Sequence, residues 1–109
     1  MQTIMPFPIA EVSFDPESVA DALNTACSKR QEHRRVRGVC QVGEIVYFFL
    51  LPLRGGEALE TYLLKSVQDL SEAGLTAMLA QRWQAGFDAV GTISLGAAAY
   101  YMLFAKPQG

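Results

Sequence analysis

Residues able to do chemistry gather in one place. The run Lys29-Arg30-Gln31-Glu32-His33-Arg34-Arg35-Val36-Arg37 holds five of the nine basic residues and one acid, a net of +4, while the rest of the chain carries −6. Guanidinium groups bind phosphate and carboxylate in a bidentate fork. Arg30, Arg34, Arg35 and Arg37 therefore form a candidate site for an anionic ligand or for nucleic acid. A second reading has no ligand: positive side chains at a helix C-terminus complement its dipole and keep an exposed turn in water. The later stretch Arg82-Trp83-Gln84-Ala85-Gly86-Phe87-Asp88 aligns with this run and is nearly uncharged. The fold by itself does not demand the charges.

Other reactive side chains form no evident constellation. His33 is the single histidine. No nearby Ser, Cys or carboxylate in sequence forms an evident dyad with it. It reads as an exposed turn residue. A small enzyme using His33 with a carboxylate from elsewhere in the chain is a third reading. Cys27 and Cys40 lie among apolar residues and read as reduced, inert packing rather than as nucleophiles or a disulfide. Glu11, Asp15, Glu17 and Asp21 cluster where a helix should begin, so capping and dipole effects account for them, and no metal-ligand spacing is present. Tyr47, Tyr100, Tyr101 and Trp83 combine rings with polar handles. Their default role is core or interface packing, with ligand lining as the alternative. Walker, Gly-x-Ser-x-Gly and His-Glu-x-x-His patterns are absent. No cofactor is indicated, and a non-enzymatic role is favoured.

An internal repeat organises the elements that carry these residues. Sliding the chain on itself by 53 positions aligns 13–52 with 66–105 without a gap, with eight identities in forty pairs, where ordinary composition gives roughly two or three. Gly38/Gly91, Gly43/Gly96, Tyr47/Tyr100 and Leu50/Leu103 fall at equivalent points. The reading is a single domain, 1–109, made of pseudo-repeats 7–53 and 59–106.

In the first copy, a strand is expected over Phe7–Phe14. Asp15-Pro16-Glu17 then opens a helix running to about Glu32, with Val19, Ala22, Leu23, Ala26 and Cys27 as one apolar stripe. A hairpin follows, Val36–Val42 and Ile45–Leu53, turning at Gly43-Glu44. Arg54-Gly55-Gly56-Glu57 is the seam between copies. In the second copy, a strand is expected over 59–67, although Leu59, Leu63, Val67 and Leu70 also suit one long helix over 57–85. Its helix starts near Asp69 or Ser71, where Asp69 and Glu72 have capping-box spacing, and ends at Gly86. Ala89–Leu95 and Ala97–Ala105 close the copy with a hairpin turning at Gly96.

Together these predict an α+β fold: tandem β-α-β-β units, ferredoxin-like or related, in one antiparallel sheet with both helices on one face. The segment Ile45–Leu51 is apolar on both alternations, and so is 97–105. A sheet with one wet face should alternate polar and apolar residues. Its second face should therefore be covered, by barrel closure or by a second copy in a homodimer or larger assembly. Residues 89–105 are uncharged but shorter than the ~20 residues of a spanning helix and diluted by Gly, Ser and Thr, so no membrane span is expected. The start of the chain lacks the pattern of an export signal, and a cytoplasmic setting is expected.

Leu79-Ala80-Gln81-Arg82-Trp83-Gln84-Ala85-Gly86-Phe87-Asp88-Ala89-Val90, followed by a hairpin with an aromatic-rich strand and Lys106, resembles a small bacterial domain family of unknown function. That family joins a leucine-bearing helix to Gly-Trp-Glu-Leu-Val and a β-hairpin. Gly86-Phe87-Asp88-Ala89-Val90 stands in that place here, whereas the first copy has His33-Arg34-Arg35-Val36. The resemblance implies a β-α-β-β unit and carries no chemistry. The leading functional expectation is thus a non-enzymatic, homo-oligomeric binding or regulatory module. The alternative is an anion- or nucleic-acid-binding module centred on 29–37. Candidate ligand contacts are Arg30, His33, Arg34, Arg35, Arg37, Tyr47, Trp83 and Tyr100.

Overall fold

A computed structural model describes residues 2–95 and 99–108. The chain begins with β1 (Thr3–Pro8), and the expected strand over 7–14 is mostly helix instead: α1 spans Ile9–Phe14. The reason is the position of Pro8 and the spacing of the apolar residues. Pro8 is extended and sits at the helix N-cap, while Ile9 and Val12, three apart, turn to the same core. Asp15 then caps α2 (Pro16–Cys27), its side chain accepting a hydrogen bond from the Ser18 N–H at 3.1 Å. The helix stops at Cys27 rather than near Glu32. Lys29, Arg30 and Gln31 thus lie in an exposed loop.

The hairpin β2 (Arg34–Val42) and β3 (Ile45–Pro52) turns at Gly43-Glu44, with Gly43 at φ +60°. Segment 60–66 is a strand, β4 (Glu60–Ser66), paired along its whole length with the last strand. Tertiary pairing thus overrides the helical spacing of its leucines. Helix α3 (Glu72–Gln84) is capped by Ser71, which accepts from the Gly74 N–H at 3.0 Å, so of the two expected starts the helix takes Ser71 and not the capping-box acid Asp69. Asp69 instead accepts from the Ser71 N–H at 2.9 Å. Strands β5 (Asp88–Ser94) and β6 (Tyr100–Pro107) complete the chain. The expected turn at Gly96 and the first two residues of the expected strand from Ala97 lie outside the described residues.

Among the described residues, six strands form two antiparallel three-stranded sheets, not the single sheet expected. Their orders are β1-β3-β2 and β4-β6-β5. In each sheet the helix crosses between two parallel strands and passes over the strand between them. The edge strands β2 and β5 pack against each other without pairing. Their approach is close enough that a Cβ on Gly91 would sit 2.9 Å from Val39 Cγ1.

One core joins the sheets. Phe7, Val46, Phe48 and Leu50 of the first sheet meet Tyr62, Leu64, Ile93 and Leu103 of the second, with Val12, Val19, Leu23 and Cys27 filling the space between. Helix α2 packs on β2 and, more extensively, on β4. Successive strand residues face opposite sides, so Met102 and Phe104 point away from this core. They form a smaller one with Val67, Leu75 and Met78 beneath α3. The two long helices therefore lie on opposite faces of the second sheet, rather than on one face of a common sheet.

The repeat register also changes. Tyr47 pairs with Cys40, and Ile93, at the position matching Cys40, pairs with Tyr101. Tyr47 therefore corresponds to Tyr101, not Tyr100, and Leu50 corresponds to Phe104, not Leu103. The second hairpin has a longer loop than the first, which moves its return strand by one residue. Gly38 and Gly91 each lie next to a β-bulge. Residues of 89–105 that are described lie in β5, β6 and their loop. Among the described residues no helix is long and apolar enough to cross a membrane.

Candidate functional site

The basic run divides into two parts. Arg30 and His33 sit in the exposed loop after α2, where the His33 carbonyl accepts from the Leu53 N–H at 3.1 Å. Among the described residues no carboxylate pairs with His33. From Arg34 the chain enters β2, which places the next arginines against acids from the linker and β4. Arg34 meets Glu32 at 2.9 Å. Arg35 forks onto Glu60, its Nε donating to Oε1 at 3.1 Å and Nη2 to Oε2 at 3.2 Å, while Nη1 donates to Glu57. Arg37 also pairs with Glu57. Three guanidinium groups thus face three carboxylates, and the β2 part of the expected net-positive patch is neutralised in the fold.

Electrostatics agree with this geometry. Burial opposes the charge on Arg35, but Glu60 and Glu57 outweigh it and hold its pKa above the ordinary value. The Arg54 N–H donates to Glu57 at 2.7 Å. That bond, with Arg37 and Arg35 overcoming the desolvation, holds the Glu57 carboxyl below the usual range. Beneath the ion pairs, Tyr62 links the charged layer to the core. Its hydroxyl accepts from the buried Val36 N–H at 2.7 Å and donates to Glu60 at 3.0 Å. Burial raises its pKa. Burial likewise pushes the Cys27 thiol up to about 11, which removes it as a nucleophile at neutral pH. The whole assembly acts as a clamp between β2 and β4. Sequence reasoning found its arginines and missed Glu57, Glu60 and Tyr62. The spacing of Glu57 and Glu60 was visible, but that β4 returns beside β2 was not.

The aromatic candidates are not brought together. Tyr100 lies at the start of β6, its carbonyl accepting from the Val67 N–H at 2.8 Å, and packs on the smaller core. Trp83 is 70% exposed near the end of α3. Tyr47 lies on the outer face of the first sheet, in register with Pro6 and Cys40. Cys40 is exposed, contrary to its expected packing role, and both cysteines are free.

That outer face is an apolar open surface. Tyr47, Phe49 and Leu51 of β3 are only half-buried, and the flanking Ile4 and Val42 are 56% and 63% exposed. None of these five belongs to either core cluster. Among the described residues, no group of His, Cys, Asp or Glu could hold a metal ion. Among the described residues, the arrangement is an apolar sheet face and a neutral clamp, and the candidate nucleophiles and His33 are not brought together. No family model, curated protein or solved structure matches the chain.

Proposed function

We propose that this chain is a non-enzymatic, self-associating binding module that docks through the outer face of its first sheet. The observation that carries the reading is the uncovered row Tyr47, Phe49, Leu51 with Ile4 and Val42. Contiguous exposed apolar surface of this kind marks an interaction site. The two sheets read as copies of one β-α-β-β unit, in which the same face is buried in the second copy and open in the first. The anion-binding alternative is disfavoured by the pairing of Arg34, Arg35 and Arg37 with acids. A phosphate at Arg35 or Arg37 would have to displace Glu57 or Glu60.

Sedimentation velocity across the micromolar range tests the proposal. The wild-type chain should show a concentration-dependent shift to larger species. Phe49→Lys, on the open face, should abolish the shift while keeping the far-UV circular dichroism of the wild type. A wild type that remains monomeric at every concentration overturns the reading.

A further inference from the structure

The chain already contains one example of how the open face can be covered. Measured from their caps Asp15 and Ser71, α2 and α3 can be compared position by position. In α2, Ala20, Leu23 and Cys27 are buried in the main core, and Asn24 bonds the backbone of β4. The matching residues of α3 are Thr76, Leu79, Ala80 and Trp83, and all four are exposed. They border a shallow groove of about 430 Å³ between α3 and the start of β5.

The receiving surfaces correspond as well. The strand registers place Tyr47, Phe49 and Leu51 of β3 where Tyr101, Leu103 and Ala105 stand in β6. In β6 that row faces α2 and the first sheet; Leu103 and Ala105 are buried there. In β3 it faces outward. One end of the molecule thus presents a helix of the kind that α2 uses, and the other presents a sheet face of the kind that receives it.

On this basis, and resting on the self-association proposed above, we infer that copies associate head to tail: α3 of one copy docks on the outer face of the first sheet of the next. Three features favour this occupant. Where α2 shows Glu17 and Asp21 to water, α3 has Ala73 and Ala77, so a broad side of α3 is free of charge. Small side chains on α3 (Ala73, Thr76, Ala77, Ala80) complement the large ones on the sheet, Tyr47, Phe49 and Leu51. Pro6 and Pro8 lie in the edge strand β1, which discourages strand-to-strand extension and leaves the face as the docking surface. A heterologous contact of this kind builds open chains or rings rather than stopping at a two-fold dimer. Ala80 stands where α2 has Asn24 and cannot reproduce the amide clamp on β4, so the contact between copies is weaker than the one within the chain.

Two interface variants decide the matter. Sheet-face Phe49→Lys and helix-face Ala80→Arg should each be monomeric alone. Mixed in equal amounts they should form a one-to-one dimer, because one intact surface survives on each partner. If Ala80→Arg associates like the wild type, the contact is sheet to sheet and the head-to-tail inference falls, while self-association stands. If the wild type is monomeric, both fall. Cross-linking covers the case in which a variant fails to fold. A short bis-maleimide should convert Ala77→Cys, which keeps exposed Cys40, into a ladder of species beyond the dimer. Wild-type chain, whose Cys27 is buried, should stop at dimers. A dimer-only pattern from Ala77→Cys also overturns the inference.

Discussion

Helices α2 and α3 occupy the same place in their sheets and have nearly the same length, 12 and 13 residues, yet their burial differs completely. Val19, Ala20, Leu23 and Cys27 of α2 are buried, whereas α3 has no buried residue. The difference lies in what stands on the far side of each helix. Helix α2 has its own sheet on one side and β4 on the other, whereas α3 has a sheet on one side only. Most helix stability in proteins comes from packing rather than propensity. Helix α2 is therefore the keystone of the fold, and α3 leaves one side open.

The comparison breaks most visibly at the paired leucines. Leu23 is fully buried and Leu79 is 41% exposed. Leu23→Ala should lower the urea-unfolding free energy by about 3 kcal/mol, the usual range for a core leucine. Leu79→Ala should cost less than about 1 kcal/mol in the monomer, as for a surface change. Equal costs would mean that α3 is as deeply packed as α2. Hydrogen exchange gives a second readout: amides of α3 should open well before those of α2.

A smaller effect is expected at the polar contacts that α2 makes and α3 does not. Asn24 accepts from the Tyr62 N–H at 2.7 Å and donates to the Tyr62 carbonyl at 3.3 Å. Asn24→Leu leaves both groups of an edge strand without that partner, and should cost about 2 kcal/mol in the same titration. The neighbouring ion pairs add a pH dependence. Glu57 titrates lower in the folded chain than in the unfolded chain, so its contribution is complete above the ordinary carboxylate range and disappears as pH falls through the lowered value. Glu57→Gln should therefore flatten the acid limb of stability against pH and leave its shape near neutrality unchanged. An acid limb identical to that of the wild type would exclude the pairing as a stabilising element.

Much of this asymmetry was hidden in the sequence. Local signals were readable wherever the chain itself supplies the partner: the Asp15-Pro16 helix start, the Gly43 turn, the strand at 60–66 and the apolar stripe of α2. The two-sided apolar character of Ile45–Leu51 was also readable, and it pointed to the open face. What could not be read depends on distant partners. The split into two sheets follows from how β2 and β5 meet. The neutralisation of Arg35 and Arg37 depends on Glu57 and Glu60, more than twenty residues along the chain. The one-residue shift between Tyr47 and Tyr101 depends on a loop length that an ungapped alignment of the halves cannot reveal.

The smallest expected effect concerns the contact between the sheets and uses Gly38 and Gly91. Gly38 and Gly91 each follow a bulge on an edge strand. A Cβ on Gly38 would lie 3.4 Å from the Phe49 ring, an ordinary contact. A Cβ on Gly91 would lie 2.9 Å from Val39 Cγ1. Val39 is β-branched, so its side chain has little freedom to turn aside. Gly91→Ala should therefore force β2 and β5 apart slightly and cost about 1 kcal/mol, the low end for overpacking. Gly38→Ala should be neutral or slightly stabilising, because alanine narrows the unfolded ensemble at a site with room for it. Differential scanning calorimetry of the two variants would separate them by several degrees, since about 1 kcal/mol moves the midpoint of a domain this size by roughly 4–8 °C. The reverse order would show that the sheets meet somewhere other than at Val39 and Gly91.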